Sequence, residues 1–203
     1  KPAQPGETVL KVENLLVAGT GGVPAVLGVD LEVRAGEILG IAGVSGNGQT
    51  ELVEAITGMR MADAGRITLL GKDITHANVR DRRESGMAHI PEDRMIIGLN
   101  LQTNLDENIV VTHYHVPPYS TRGVFNAKPI KALAQKIIDS FQVKSARVGE
   151  GISTLSGGNL QKIVLGRELT GSPKLVITNQ PTRGLDVGSI EFVHKTLIQA
   201  RDA

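Results

Sequence analysis

The stretch from Gly43 to Thr50, G-V-S-G-N-G-Q-T, joins an apolar run to a helical pattern and constrains the fold more than any other part of the chain. The preceding residues 38–42, I-L-G-I-A, predict a short buried central strand. Residues 50–57 predict a helix that ends at Gly58. A strand, a glycine-rich turn and a helix in this order direct several N–H groups at one point, where a phosphate fits. The stretch therefore predicts either a phosphate-binding loop in an α/β fold or a turn whose glycines only allow close packing.

The spacing of this stretch is that of the phosphate loop G-x-x-x-x-G-K-[ST], except that Gln49 fills the lysine position. A glutamine amide can donate a hydrogen bond to phosphate, but it brings no charge. The attraction lost is about 4 kcal/mol at a separation of about 4 Å and an effective dielectric constant near 20. We therefore interpret the loop as a phosphate cradle without its cation. The residues assigned to nucleotide binding are Gly43, Ser45, Gly46, Asn47, Gly48, Gln49, Thr50 and Glu51.

Composition narrows the classes of function. The 203 residues are 40% apolar and 21% charged, with a formal net charge of +1, so no nucleic-acid-binding surface is expected. The absence of cysteine excludes disulfides and thiolate zinc sites and suits a reducing compartment. No apolar run approaches the roughly 18 residues of a spanning helix, so contact with a membrane is expected to be indirect. Residues 1–8 are expected to form a linker or tail.

The rest of the chain contains strand patterns on both sides of the glycine-rich loop and a long amphipathic helix pattern. Residues 9–15 and 29–33 predict half-buried strands on either side of a glycine-rich turn, and residues 66–73 predict a further hairpin. Pro129 opens a helix with one continuous apolar face, formed by Ile130, Leu133, Ala134, Ile137, Ile138 and Phe141. We therefore expect antiparallel and helical lobes around the α/β core.

An acidic turn, Pro91-Glu92-Asp93-Arg94, follows a predicted strand at 87–90. The carboxyl ends of parallel strands are where ligands bind in such sheets. Glu92 and Asp93 therefore either reach a metal or water beside the phosphates or form a solvated acidic turn.

A second glycine motif, Leu155-Ser156-Gly157-Gly158-Asn159, precedes another predicted helix. Ser156 is placed to cap that helix, and its hydroxyl together with the glycine N–H groups would also bind an anion. Residues 174–178 then predict a buried strand that ends in Asn179-Gln180, before Gly184-Leu185-Asp186.

In this order and spacing, the motifs resemble the ATP-binding cassette of ABC transporters over nearly the whole chain. The resemblance implies an α/β fold with a P-loop NTPase core, an antiparallel β lobe and a helical lobe at about 93–165, within a domain at 9–203 whose last strands are expected to be missing. P-E-D-R at 91–94 and Q-P-T-R-G-L-D at 180–186 look like the second cassette of tandem simple-sugar and nucleoside importer subunits. The Asn-Gln strand end favours the nucleoside branch.

The chain departs from the family at three charged positions. In the family a lysine holds the phosphates, an aspartate orients the water shell of Mg²⁺, and a glutamate polarises the attacking water. Gln49, Asn179 and Gln180 stand at these positions, so Gln180 is a degenerate general base. The Mg²⁺ ligands implied are Thr50, Glu92 and Asn179. Residues 9–26 also contain no aromatic ring for adenine, so weak or absent binding of ATP and Mg²⁺ is expected.

The resemblance implies a domain that acts in trans. Its signature, Leu155 to Asn159, would complete an ATP site whose charged residues belong to a partner cassette. The implied partners are a first cassette on the same full-length chain, integral membrane permease subunits and, through them, an extracytoplasmic substrate-binding protein. The domain would lie on the cytoplasmic face of the membrane and act as an ATPase only in the assembled transporter. One alternative is a free-standing ABC ATPase that hydrolyses ATP by itself. Another is a soluble cassette acting on DNA or ribosomes, which would need basic patches or long insertions that the near-neutral composition does not predict.

The segment 95–101, M-I-I-G-L-N-L, is unusually apolar for its position after the acidic turn. Cassettes of the family receive a helix of the membrane subunit here. The segment therefore predicts either a contact with a membrane-spanning partner or a buried hinge of the lobe.

Overall fold

The computed structural model describes residues 3–44 and 46–203, which divide into two compact units. The first unit extends to His89 and includes residues 173–179 and 196–203, and the second comprises 90–172 and 180–195. The strands are β1 (Thr8–Ala18), β2 (Pro24–Arg34), β3 (Ala64–Leu69), β4 (Lys72–Asp73), β5 (Met87–Ile90), β6 (Ser120–Thr121), β7 (Val124–Phe125) and β8 (Leu175–Thr178). The helices are α1 (Gln49–Thr57), α2 (Val79–Glu84), α3 (Leu105–Val110), α4 (Ala127–Ser140), α5 (Gly157–Leu169) and α6 (Val187–Asp202).

A four-stranded antiparallel sheet in the order β2-β1-β3-β4 dominates the first unit. In β1, Val12 lies opposite Leu31 of β2 and Ile67 of β3. Apolar side chains of β1 and β3 are buried in one hydrophobic core, which also includes residues of α1, β5 and β8. The predicted strands at 9–15 and 29–33 and the hairpin at 66–73 are therefore confirmed. β5 and β8 pair in a separate two-stranded sheet.

The strand predicted at 38–42 is wrong. Residues 37–44 have no regular secondary structure, and Ile38 and Ile41 are 55% and 56% exposed. In the described ranges no strand is paired with this run. A short apolar run is held as a central strand by ladder hydrogen bonds to neighbours on both sides, and composition alone does not supply those neighbours.

The carboxyl end of α1 is closed by a glycine and a buried arginine. Gly58 adopts a left-handed conformation (φ 82°) and donates its N–H to the Ala55 carbonyl, as predicted for the residue that ends this helix. Arg82 of α2 is 1% exposed. Its guanidinium donates hydrogen bonds to four main-chain carbonyls, those of Ala55 (2.6 Å), Ile56 (2.7 Å), Thr75 (2.9 Å) and Ala77 (2.9 Å).

Helices α3, α4 and α5 pack against one another within the second unit. The predicted apolar face of α4 is confirmed, since Ile130, Ala134 and Ile137 are buried. The helix begins at Ala127, two residues before the predicted start at Pro129. Proline is tolerated there because the first-turn N–H groups of a helix have no partner within the helix.

Candidate functional site

Two glycines of the loop before α1 adopt a backbone conformation that favours glycine. Gly46 (φ 89°) and Gly48 (φ 86°) both adopt the left-handed backbone conformation, which residues with a side chain rarely adopt. Gly48 caps α1 without a side-chain hydrogen bond from the described residues, and its carbonyl accepts from the Leu52 N–H at 2.9 Å. The first-turn N–H groups of α1 therefore remain available to an anion. Ser45, assigned to the same loop, lies outside the described residues.

Gln49 folds back over the loop. Its amide nitrogen lies so close to Gly43 that a side chain at Gly43 would overlap it. The glutamine thus reaches the first glycine of the loop with a neutral donor. The side chain of Thr50 is exposed, and Glu51 stands in the first turn, where the helix dipole favours an acidic residue.

Thr178 is the last residue of β8, and two amides follow it. Asn179 is half-buried, whereas Gln180 is exposed and adopts a left-handed backbone (φ 42°). Neither amide carries charge or accepts a proton near neutral pH. Within the described residues, no group of three or more His, Asp, Glu or Cys side chains is placed to hold a metal. The left-handed glycines and the first turn of α1 suit a phosphate group, whereas neither Asn179 nor Gln180 offers the carboxylate that Mg²⁺ prefers.

The signature motif opens α5. The hydroxyl of Ser156 accepts hydrogen bonds from the N–H (3.4 Å) and the amide nitrogen (3.1 Å) of Asn159, which confirms that Ser156 caps the helix. In both bonds the Ser156 oxygen accepts, so its own O–H remains a donor for an anion. Asn159 also accepts the Lys144 N–H at 3.0 Å, so its side chain is held on both sides. Leu155 is half-buried, while Ser156 is exposed.

Arg94 connects the acidic turn to the signature, a role that sequence reasoning missed. Its guanidinium donates to the carbonyls of Arg183 (2.9 Å) and Gly184 (3.4 Å) and lies directly against Gly157. These partners lie about 60 to 90 positions further along the chain than Arg94, so the local sequence P-E-D-R does not indicate the contact. The signature is thereby tied to the segment that follows Gln180.

Both carboxylates of the acidic turn have partners. Glu92 forms an ion pair with Arg183, and the Glu92 side chain is 24% exposed. Asp93 accepts the N–H groups of Met95 (2.8 Å) and Ile96 (2.9 Å). These two bonds favour the charged form and hold the pKa of Asp93 below its ordinary value.

Gly158 packs against the start of α6. A side chain at Gly158 would overlap the hydroxyl of Ser189. Ser189 donates its hydroxyl (2.7 Å) and its N–H (2.9 Å) to Asp186, and these bonds lower the pKa of Asp186.

The segment predicted either to meet a partner or to form a hinge is exposed. Residues Arg94–Gly98 form one π-helical turn, in which Met95, Ile96 and Ile97 are 49%, 83% and 60% exposed. The buried hinge is therefore wrong for Ile96 and Ile97. Among the described helices, none is long and apolar enough to cross a bilayer.

Comparisons with known proteins agree on one family. The family model described as "ABC transporter" matches residues 26–183. The chain is 48% identical over its whole length to the guanosine import ATP-binding protein NupO of Bacillus subtilis, of which it covers 40%. It is 47% identical over 98% of its length to the nucleoside import ATP-binding protein NupA of Lactococcus lactis subsp. cremoris, again covering 40%. It is 37% identical over 93% of its length to the ribose import ATP-binding protein RbsA of Chromobacterium violaceum, covering 36%. The chain thus spans well under half the length of these curated relatives.

Solved structures show the same fold. An ATP-binding cassette of an ABC transporter in its ADP conformation matches with a TM-score of 0.77 and 23% identity, over 97% of this chain and 78% of that one. A dimeric cassette in a post-hydrolysis state matches with a TM-score of 0.77 and 18% identity, over 95% of this chain and 83% of that one. The predicted cassette fold with its antiparallel lobe is confirmed.

Proposed function

Because this chain belongs to the ABC transporter family as an ATP-binding domain close to those of nucleoside and sugar importers, we propose that it is a degenerate cassette of a nucleoside importer. It works through its signature rather than through its own ATP site. The observation that carries this proposal is the contrast between the two glycine motifs. The signature keeps every donor, while the phosphate loop and strand end have lost every charge.

The signature supplies a neutral anion cradle. The O–H of Ser156 and the N–H groups of Gly157 and Gly158 stand at the start of α5, where the helix dipole favours negative charge. In the proposed assembly they face the γ-phosphate of ATP held by the partner cassette. Preorganised donors of this kind stabilise charge that develops in the transition state.

The family relationship also guides the proposed partners. We place the chain as the second cassette of a longer subunit, at the cytoplasmic face of the membrane, together with permease subunits and a substrate-binding protein. Relatives named for nucleosides are 47–48% identical, compared with 37% for the ribose relative, which favours nucleosides over sugars.

Uptake by the assembled importer tests this function. The full-length protein, expressed with its permease and binding protein, is expected to support ATP-dependent uptake of guanosine but not of ribose. Uptake of ribose but not of guanosine would assign the protein to the sugar importers instead. Mg²⁺-dependent phosphate release by the purified domain at 9–203 alone would instead favour the free-standing ATPase.

Gln49→Lys is expected to tighten ATP binding at the chain's own loop by at least about tenfold, because it restores a charge beside the phosphates. Titration calorimetry on the purified protein measures this. Hydrolysis is not expected to follow, since Gln180 still provides no base. Gln49→Leu is the control, since it removes the amide without adding charge. A low-micromolar dissociation constant for residues 1–203 alone, without the partner cassette, would contradict the proposal that this chain's own ATP site is degenerate.

Ile97→Cys is expected to cross-link to a permease loop in the assembled transporter, because Ile97 is 60% exposed in an apolar turn. This chain contains no cysteine, so the introduced thiol is unique within it. Leu27→Cys, at a 71% exposed apolar position of β2, is the matched control and should give no permease adduct. Equal labelling from both positions would remove the argument for a docking turn.

A further inference from the structure

A short hairpin in the second unit exposes an apolar tip. Ser120 of β6 pairs with Phe125 of β7, and Thr121 pairs with Val124. The two turn residues, Arg122 (φ 53°) and Gly123 (φ 82°), are left-handed, as in the tightest hairpin turns. Val124 and Phe125 are 68% and 60% exposed.

The base of the hairpin is fixed by Asn126. Its amide nitrogen donates to the Pro118 carbonyl (2.8 Å) and to the Thr121 hydroxyl (3.0 Å). Its N–H donates to the Tyr119 carbonyl at 2.9 Å. The exposed tip is therefore a preorganised feature, and a partner that binds it does not have to order it.

Positive charge is concentrated in the part of the sequence that contains this hairpin. Residues 108–138 contain no Asp or Glu, although the whole chain has a net charge of only +1. The same range contains four basic residues, all exposed: Arg122, Lys128, Lys131 and Lys136. Lys128 and Lys131 lie in the first two turns of α4, which begins two residues after Phe125. We call Arg122, Val124, Phe125, Lys128 and Lys131 the basic hairpin surface.

We propose that the basic hairpin surface binds the anionic headgroups of a lipid membrane, with Val124 and Phe125 entering the interfacial region. Apolar and aromatic residues beside lysine and arginine are the composition of surfaces that bind such membranes. Val124 and Phe125 are neighbours in one strand, so their side chains point to opposite faces. A flat protein partner would cover only one face of the hairpin, whereas a lipid surface into which the tip inserts would contact both faces. This inference uses only the hairpin and its charges and does not rest on the proposed function.

Vesicle sedimentation tests the proposal. The purified protein should bind vesicles that contain phosphatidylserine more tightly than pure phosphatidylcholine vesicles, and added salt should weaken that binding. The triple change Arg122→Gln, Lys128→Gln and Lys131→Gln should lower the partition coefficient by roughly 100-fold, about fivefold for each basic residue. The double change Val124→Ser and Phe125→Ser should lower it by at least about tenfold.

Matched variants elsewhere provide the controls. Lys72→Gln, Lys174→Gln and Lys195→Gln together remove the same charge from other exposed positions, and Val23→Ser with Leu27→Ser removes other exposed apolar residues. Both sets should leave vesicle binding unchanged. Equal losses from the control sets, equal binding to neutral vesicles, or tighter binding to polyglutamate or RNA than to anionic vesicles would each overturn the proposal.

Discussion

Ser156→Arg is expected to reduce the ATPase activity of the assembled transporter by about 10²-fold to 10³-fold, the usual loss when one preorganised donor to transition-state charge is removed. The hydroxyl of Ser156 is exposed at the start of α5 and keeps its proton free to donate. An arginine there replaces that donor with a bulky cation beside Arg94, which already lies against Gly157. The rate of phosphate release by the reconstituted full-length complex measures the effect.

Three variants separate catalysis in trans from a general loss of structure. Ser156→Thr keeps the hydroxyl and the helix cap and should retain most of the activity. Gln49→Ala and Gln180→Ala should change the rate little, because neither side chain carries charge. If Gln180→Ala were as damaging as Ser156→Arg, the chain's own site would be catalytic. Thermal unfolding of each variant checks folding, since loss of a cap costs about 1 kcal/mol.

Arg82→Ala is expected to lower the free energy of unfolding by about 3 to 5 kcal/mol, because it removes a buried guanidinium that donates to four main-chain carbonyls. Arg82 is 1% exposed and bonds four main-chain carbonyls, two of them at the end of α1. Burial also lowers the pKa of this guanidinium. Urea denaturation of the purified protein measures the loss.

Comparison with other substitutions identifies the cause. Arg82→Met fills similar space without donors and should be nearly as destabilising as the alanine variant. Arg82→Lys should recover less than half of the loss, because one ammonium group does not reproduce the planar fork of a guanidinium. Arg66→Ala removes an exposed ion pair with Asp73 and should cost less than about 1 kcal/mol. An Arg82→Met variant as stable as the unchanged protein would show that packing, not hydrogen bonding, is what Arg82 provides.

Elements with local signals could be predicted from the sequence. Gly58 ends α1 because a left-handed residue is needed there, and Ser156 caps α5 because its hydroxyl reaches an N–H three residues on. The strands around residue 20 follow from alternation of apolar and polar side chains. Each of these features depends on residues only a few positions apart.

Features that depend on distant partners could not be predicted. The run at 38–42 has the composition of a central strand, but a strand needs neighbours that the run itself does not specify. The ion pair of Glu92 with Arg183 joins two loops far apart in sequence. The contact of Arg94 with Gly157 and the bond from Lys144 to Asn159 are of the same kind. The assignments of individual residues to ATP and Mg²⁺ stay predictions.

Arg94 stands directly before the exposed turn at 95–97 and is bonded to the carbonyls of Arg183 and Gly184. A displacement of that turn therefore also moves the Arg94 guanidinium, which lies against Gly157. The guanidinium is bonded to main-chain carbonyls, which move less freely than the end of a flexible side chain would. The rigidity of this linkage therefore contributes to how far a displacement of the exposed turn moves Gly157.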